Sequence, residues 1–173
     1  MTEPLDSPRD LLALRLRQLL WIERALARDV LPRLHAQAHQ PELREKLGRH
    51  LLETERHVEA LQRLVASVGL RPEPEESLAF AGLVAEHERL VEAAGDDPLL
   101  LDLAHAQSAA ATEHLEMASY DALAALAEAL GEEALGIGLR ELQEQESFAL
   151  EQVEKAQTKL LAEQVESLRY ARP

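Results

Sequence analysis

Glu23, Glu53, Glu113 and Glu146 each interrupt the apolar stripe of a different long helical pattern. A carboxylate placed in a core costs several kcal/mol unless something pairs with it. One such residue in each of four helices points to a shared partner, and a pair of divalent cations suits four converging carboxylates. Two local groupings extend the pattern. Glu113 and Glu116 form an E-x-x-E pair on one helical face, where they repel unless cations lie between them. His50, Glu53 and His57 follow one another at spacings of three and four on one flank, and imidazole is a common ligand of first-row transition metals. His57 is taken as the ligand, with His50 as the alternative, since both lie within about one turn of Glu53. The candidate metal set is therefore Glu23, Glu53, His57, Glu113, Glu116 and Glu146. Five carboxylates and one imidazole suit iron or manganese better than copper.

Each of these residues also has a purely structural reading. Glu23 and Glu146 could pair with arginines such as Arg24 and Arg56, and Tyr120 could be a core residue or bond a ligand carboxylate. Trp21 reads as packing and His114 as facing away from the stripe. His35, His39, His87 and His105 have no partner at a useful sequence spacing and stand outside the set. The last helix carries no histidine after Glu146, where Ser147, Phe148 and Ala149 follow, so the E-x-x-H of ferritin-like sites is missing there.

The elements that must position these residues are well punctuated. Ser7-Pro8 caps a first helix, expected over 8–39, whose stripe runs Leu12, Leu16, Leu19, Glu23, Leu26, Val30 and Leu34, with Pro32 as a kink. A second helix spans 42–68 and stops at Gly69, with Leu43, Leu47, His50, Thr54, His57, Leu61 and Leu64 inward. After the solvated linker 71–76, a shorter helix covers 77–94. The third long helix, 98–130, turns Leu103, Ala106, Ala109, Glu113, Glu116, Tyr120 and Leu123 to one face. The fourth, 133–167, turns in Leu135, Leu139, Leu142, Glu146, Ala149 and Val153, and Gly136 and Gly138 soften its first turns. Two helical hairpins joined by one long crossover give a single all-α, ferritin-like four-helix bundle over 1–173, with a short extra helix in the crossover.

Composition narrows the chemistry. Aromatics make up 3% of the chain and β-branched residues are few, which disfavours a sheet. No cysteine is present, which excludes disulfides, thiolate zinc sites, iron–sulfur clusters and a rubredoxin-type electron relay. A net charge of −14 argues against nucleic acid and anionic membrane as partners. The acidic N-terminus shows no signal peptide, and no apolar run reaches the ~18 residues of a membrane span, so a cytoplasmic protein is expected.

The segments Trp21-Ile22-Glu23-Arg24-Ala25-Leu26, His50-Leu51-Leu52-Glu53-Thr54-Glu55 and Glu113-His114-Leu115-Glu116-Met117-Ala118-Ser119-Tyr120 carry a family resemblance, as do Leu126–Gly131 and Glu144-Gln145-Glu146. In order and spacing they resemble the YciE/YciF-type ferritin-like proteins, over roughly residues 10 to 157. The resemblance implies a rubrerythrin-like bundle, often dimeric and stress-associated, with a di-iron or di-manganese centre. By position it places Glu23, Glu53, Glu113, Glu116 and Glu146 on the family's acidic motifs, whereas His57 rests on helical geometry alone. The chain departs from the pattern at Leu52 and at Gln145-Glu146-Ser147-Phe148, which is less acidic.

The expectation is a di-metal protein, with two iron or manganese ions, that handles peroxide or dioxygen in stress defence as a homodimer. Lacking thiols, it needs an external electron donor unless it disproportionates peroxide. The rival expectations are a non-catalytic stress or structural bundle, and iron storage in a cage.

Overall fold

The computed structural model describes the backbone of residues 4–170 and the side chains of residues 4–163. Ser7 caps α1 (Pro8–Ala25) by accepting from the Asp10 N–H, with Pro8 in the first turn where its missing donor costs nothing. A five-residue π-helical turn (Leu26–Val30) joins α1 to α2 (Leu31–Gln37). The remaining helices are α3 (Pro41–Ser67), α4 (Leu78–Ala94), α5 (Pro98–Ala129) and α6 (Glu133–Tyr170). The expected first helix over 8–39 is thus divided, for a local reason. Pro32 has no N–H to give to residue 28, and the helix widens just before it, with the Leu31 N–H donating to the Leu26 carbonyl. One residue is absorbed in that turn. The core stripe therefore passes from Leu26 to Leu31 and Leu34, and Val30, expected inward, is half-buried.

α1 packs against α3 and α5, and α6 against α5 and α3, which closes a four-helix ring. Two apolar clusters fill its ends. One joins Leu12, Leu16 and Leu19 to Leu61, Tyr120, Leu123 and Leu139. The other joins Ile22, Leu26 and Leu31 to Leu43, Leu47, Ala109 and Val153. Read along each helix, these clusters show α3 and α5 running the same way, with α1 and α6 opposed to them. Two parallel helices in succession require the chain to cross the length of the bundle between them, and α4 does so. It leans on α5 and is pinned to α1 by an edge-to-face contact of Trp21 with Phe80, their centroids 5.8 Å apart. The linker before α4 is also held, since the Glu75 N–H donates to the Arg17 carbonyl and the two side chains pair at 2.8 Å.

Gly69 and Gly131 end α3 and α5 with φ of 75° and 80°, a backbone that favours glycine. Gly138 serves a different need from soft helix geometry. A Cβ there would lie 2.5 Å from Leu64 Cδ2, so its absence lets α3 and α6 approach. At the other end, buried Asp102 accepts from the backbone N–H groups of His39 (2.8 Å) and Gln40 (2.7 Å), fixing the start of α3.

Candidate metal centre

Between the two apolar clusters lies a polar belt built from all four helices of the ring. Glu23 of α1, His50 and His57 of α3, Glu113 and Glu116 of α5 and Glu146 of α6 are all buried there. The helical period puts them in one layer. His50 and His57 are two turns apart, and Glu113 and Glu116 one turn apart, each on the inward face of its helix.

The contacts form two triads. Glu23, His57 and Glu146 each offer a ligand atom, and these atoms lie within 4.8 Å of one another; His50, Glu113 and Glu146 form a second such group. Glu146 belongs to both. In the first triad His57 Nδ1 donates to Glu146 Oε1 at 2.6 Å and lies 3.7 Å from Glu23 Oε1. His57 Nε2 meets Gln145 Oε1 at 3.1 Å, and the Tyr120 hydroxyl donates to Glu23 Oε1. In the second, His50 Nε2 stands 2.8 Å from Glu113 Oε1, an ion-pair contact without the alignment of a hydrogen bond.

Burial raises the carboxyls of Glu23 and Glu146, and raises that of Glu116 well above the usual range, with the neighbouring carboxylates adding to the effect. Burial opposes a charge on His50, but the facing Glu113 outweighs it and holds the ring at about 9. His57 is likewise desolvated, yet Glu146 and Glu23 hold it at about 11. Tyr120 is pushed well above its ordinary value, mainly by burial, and so remains a neutral donor. Without other cations, then, the belt balances its charge with protons.

Protons do not satisfy all of its polar atoms. Among the described residues, Glu23 Oε2, both nitrogens of His50, Glu113 Oε2, both oxygens of Glu116 and Glu146 Oε2 are buried with no hydrogen-bond partner. Such orphaned atoms cost about 1–3 kcal/mol each. Their concentration in one layer, all of them carboxylate oxygens or imidazole nitrogens, fits divalent cations well.

Of the residues expected to bind metal, the structure brings together Glu23, His57, Glu113, Glu116 and Glu146. Glu53 stands apart from both triads. Its side chain is half-buried, and its nearest basic contact is His50 Nδ1 at 4.0 Å. His50, set out above as the alternative to His57, lies in the belt together with it. The α-helical period already offered this outcome, since residues seven apart share a face. Gln145 was invisible as a site neighbour, because its contact with His57 depends on how α3 and α6 cross. The buried pair His87 Nε2–His105 Nδ1, 2.9 Å apart between α4 and α5, was also missed, since no sequence spacing links the two.

A narrow apolar cavity, about 20 Å3, reaches Glu113 from the outer side of the bundle. Its walls come from the π turn (Leu26, Val30), from α2 (Leu31, Leu34) and from α4 (Leu83, Val84). That volume is enough for roughly one water-sized molecule.

Comparison with known proteins agrees with this architecture. The E. coli stress protein YciF superposes with a TM-score of 0.85 at 26% identity, covering 91% of this chain and 99% of its own. YcfI from Rhodopseudomonas palustris gives a TM-score of 0.76 at 29% identity, covering 92% and 96%. A protein from Xanthomonas campestris pv. campestris shares the fold, with a TM-score of 0.73 at 21% identity over 94% and 99%. No curated protein matches the chain. Among the described residues no helix is long and apolar enough to cross a membrane. The match of residues 7–166 to the family described as Domain of unknown function (DUF892) agrees with the YciE/YciF-type motifs, and the chain belongs to that family.

Proposed function

We propose that the polar belt is a two-cation carboxylate centre, loaded with iron or manganese, that handles dioxygen or peroxide in stress defence. The observation that carries this reading is the sharing of Glu146 between two buried triads whose remaining donor atoms lack partners. Glu23 and His57 would hold one ion, His50 and Glu113 the other, and Glu146 would serve both. Glu116, with both oxygens unpartnered, would supply a further carboxylate. When bound, such ions supply electrons or Lewis acidity to a small oxidant.

The chain's own residues set the conditions for that chemistry. Tyr120 fixes Glu23 through its hydroxyl, and Gln145 fixes the orientation of the His57 ring. Leu26, Leu31 and Leu34 keep bulk water from Glu113, while the cavity they line leaves space for a small molecule. With no cysteine in the chain, reducing equivalents come from outside or the oxidant is disproportionated. The description of YciF as a stress protein supports a role in stress defence.

The test is metal content per chain, after production in medium holding both iron and manganese, with melting temperature before and after chelation. About two equivalents and a lower melting temperature after chelation are expected. One observation favours a second reading, a non-catalytic bundle. The His57–Glu146 and His50–Glu113 contacts can neutralise part of the belt with protons alone. No metal uptake and no effect of chelator would establish that reading instead.

A further inference from the structure

Glu53 lines two adjoining spaces. Outward is an open groove between α3 and α6, about 420 Å3, whose wall carries Glu141, Glu144, Gln145 and Phe148. Inward is a crevice of about 20 Å3 that leads between Lys46 and Arg49 on one side and Phe148 and Gln152 on the other, to His50. The crevice has room for about one water-sized particle. At its inner end His50 is buried, both ring nitrogens lack a hydrogen-bond partner, and Nδ1 is 4.0 Å from Glu53 Oε2.

We propose that this groove admits divalent cations to the belt, with Glu53 as the transit carboxylate that hands each ion to His50. The proposal rests on the metal-centre reading above. Three glutamates on an exposed groove would alone be ordinary acidic surface. The buried imidazole at the end of the adjoining crevice, whose Nδ1 has no hydrogen-bond partner, gives the groove a destination. A hydrated cation favours this side over the apolar cavity at Glu113, which offers little to replace its water.

The two basic residues along the crevice are engaged elsewhere. Lys46 Nζ donates to Gln152 and lies 3.7 Å from Glu42, and Arg49 pairs with Glu45 at 3.1 Å. Glu53, by contrast, makes no hydrogen bond among those described and can swing by side-chain rotation alone, on a picosecond to nanosecond timescale. Its position explains how a residue at a motif-like spacing can serve the centre without residing in it.

The test is Co2+ uptake by metal-free full-length protein, followed by stopped-flow absorbance, with equilibrium stoichiometry by elemental analysis. Glu53→Gln and the double variant Glu141→Gln/Glu144→Gln should slow uptake about fivefold or more, as loss of local steering charge does. The final number of ions bound should stay that of the unsubstituted chain, and Glu86→Gln on exposed α4 should match the unsubstituted rate. Unchanged rates in both groove variants overturn the proposal. A lower stoichiometry in Glu53→Gln makes Glu53 a resident ligand and overturns the transit role. If the unsubstituted chain takes up no Co2+, the metal centre itself fails, and the groove reading falls with it.

Discussion

At the scale of single residues, Glu146 and Glu23 should behave differently. Glu146 serves both triads and Glu23 only one. Glu146→Gln should weaken both ions, by more than the roughly 10–100-fold typical of losing an outer-sphere partner. Glu23→Gln should weaken one and leave the other measurable. Titration with Mn2+ followed by calorimetry separates the two outcomes, and equal effects would remove the shared role of Glu146. The protonated state of the belt gives a second prediction. His50 is raised from 6.5 to about 9, so its contribution to metal-free stability is full below 6.5 and fades as pH climbs through 9. His57, raised to about 11, acts in the same direction, as do the raised carboxyls of Glu23, Glu116 and Glu146. The metal-free protein should therefore melt several degrees lower at about pH 9.5 than at about pH 6. A rising melting temperature over that interval would contradict the protonated belt.

Among the elements, the π turn is the most informative. It lies between Leu26 and Leu31, and it keeps both in the interior although their five-residue separation does not suit an unbroken α-helix. Deleting exposed Asp29 would bring Leu31 four residues after Leu26, the α-helical spacing, but would leave Pro32 inside a regular helix. That single change should cost about 3 kcal/mol. Combined with Pro32→Ala it should recover most of the loss, as read by denaturant unfolding, with helical circular dichroism unchanged. Failure of the second substitution to restore stability would show that the wide turn serves more than accommodation of the proline. The stripe of α6 was legible from its sequence, because no breaker interrupts its period and Leu135, Leu139, Leu142, Glu146, Ala149 and Val153 are all inward. In the first helix the stripe failed at one position, Val30, and resumed with Leu34, which is buried as expected. A π turn adds one residue without a composition signature, so Val30 and Leu31 exchange roles. The same limit applies to the site. Which residues face inward followed from period, but which of them touch depends on helix crossing. Crossing placed His50 against Glu113, whereas the position of Glu53 beside the inward stripe of α3 follows from the helical period itself.

For the molecule as a whole, charge sets the terms. The chain carries a formal −14 and encloses four buried carboxylates in one layer. Metal binding should displace the protons held there, so loading in weakly buffered solution should acidify the medium and raise the melting temperature together. Release of protons without a gain in melting temperature would place the ions on the acidic exterior instead. The apolar clusters at either end of the belt should hold the helices together in the metal-free state, so chelation should lower the melting temperature while leaving the circular dichroism helical.

A carboxylate common to two cation positions also has a consequence for how a population of molecules fills. With one ion in place, Glu146 is already held for the second position, and the next ion enters a site ordered by the first. Scarce metal should then distribute unevenly, giving a mixture of empty and fully charged chains with few singly occupied ones. Native mass spectrometry at half an equivalent per position would display that statistical signature directly, and a dominant one-ion species would indicate two independent positions.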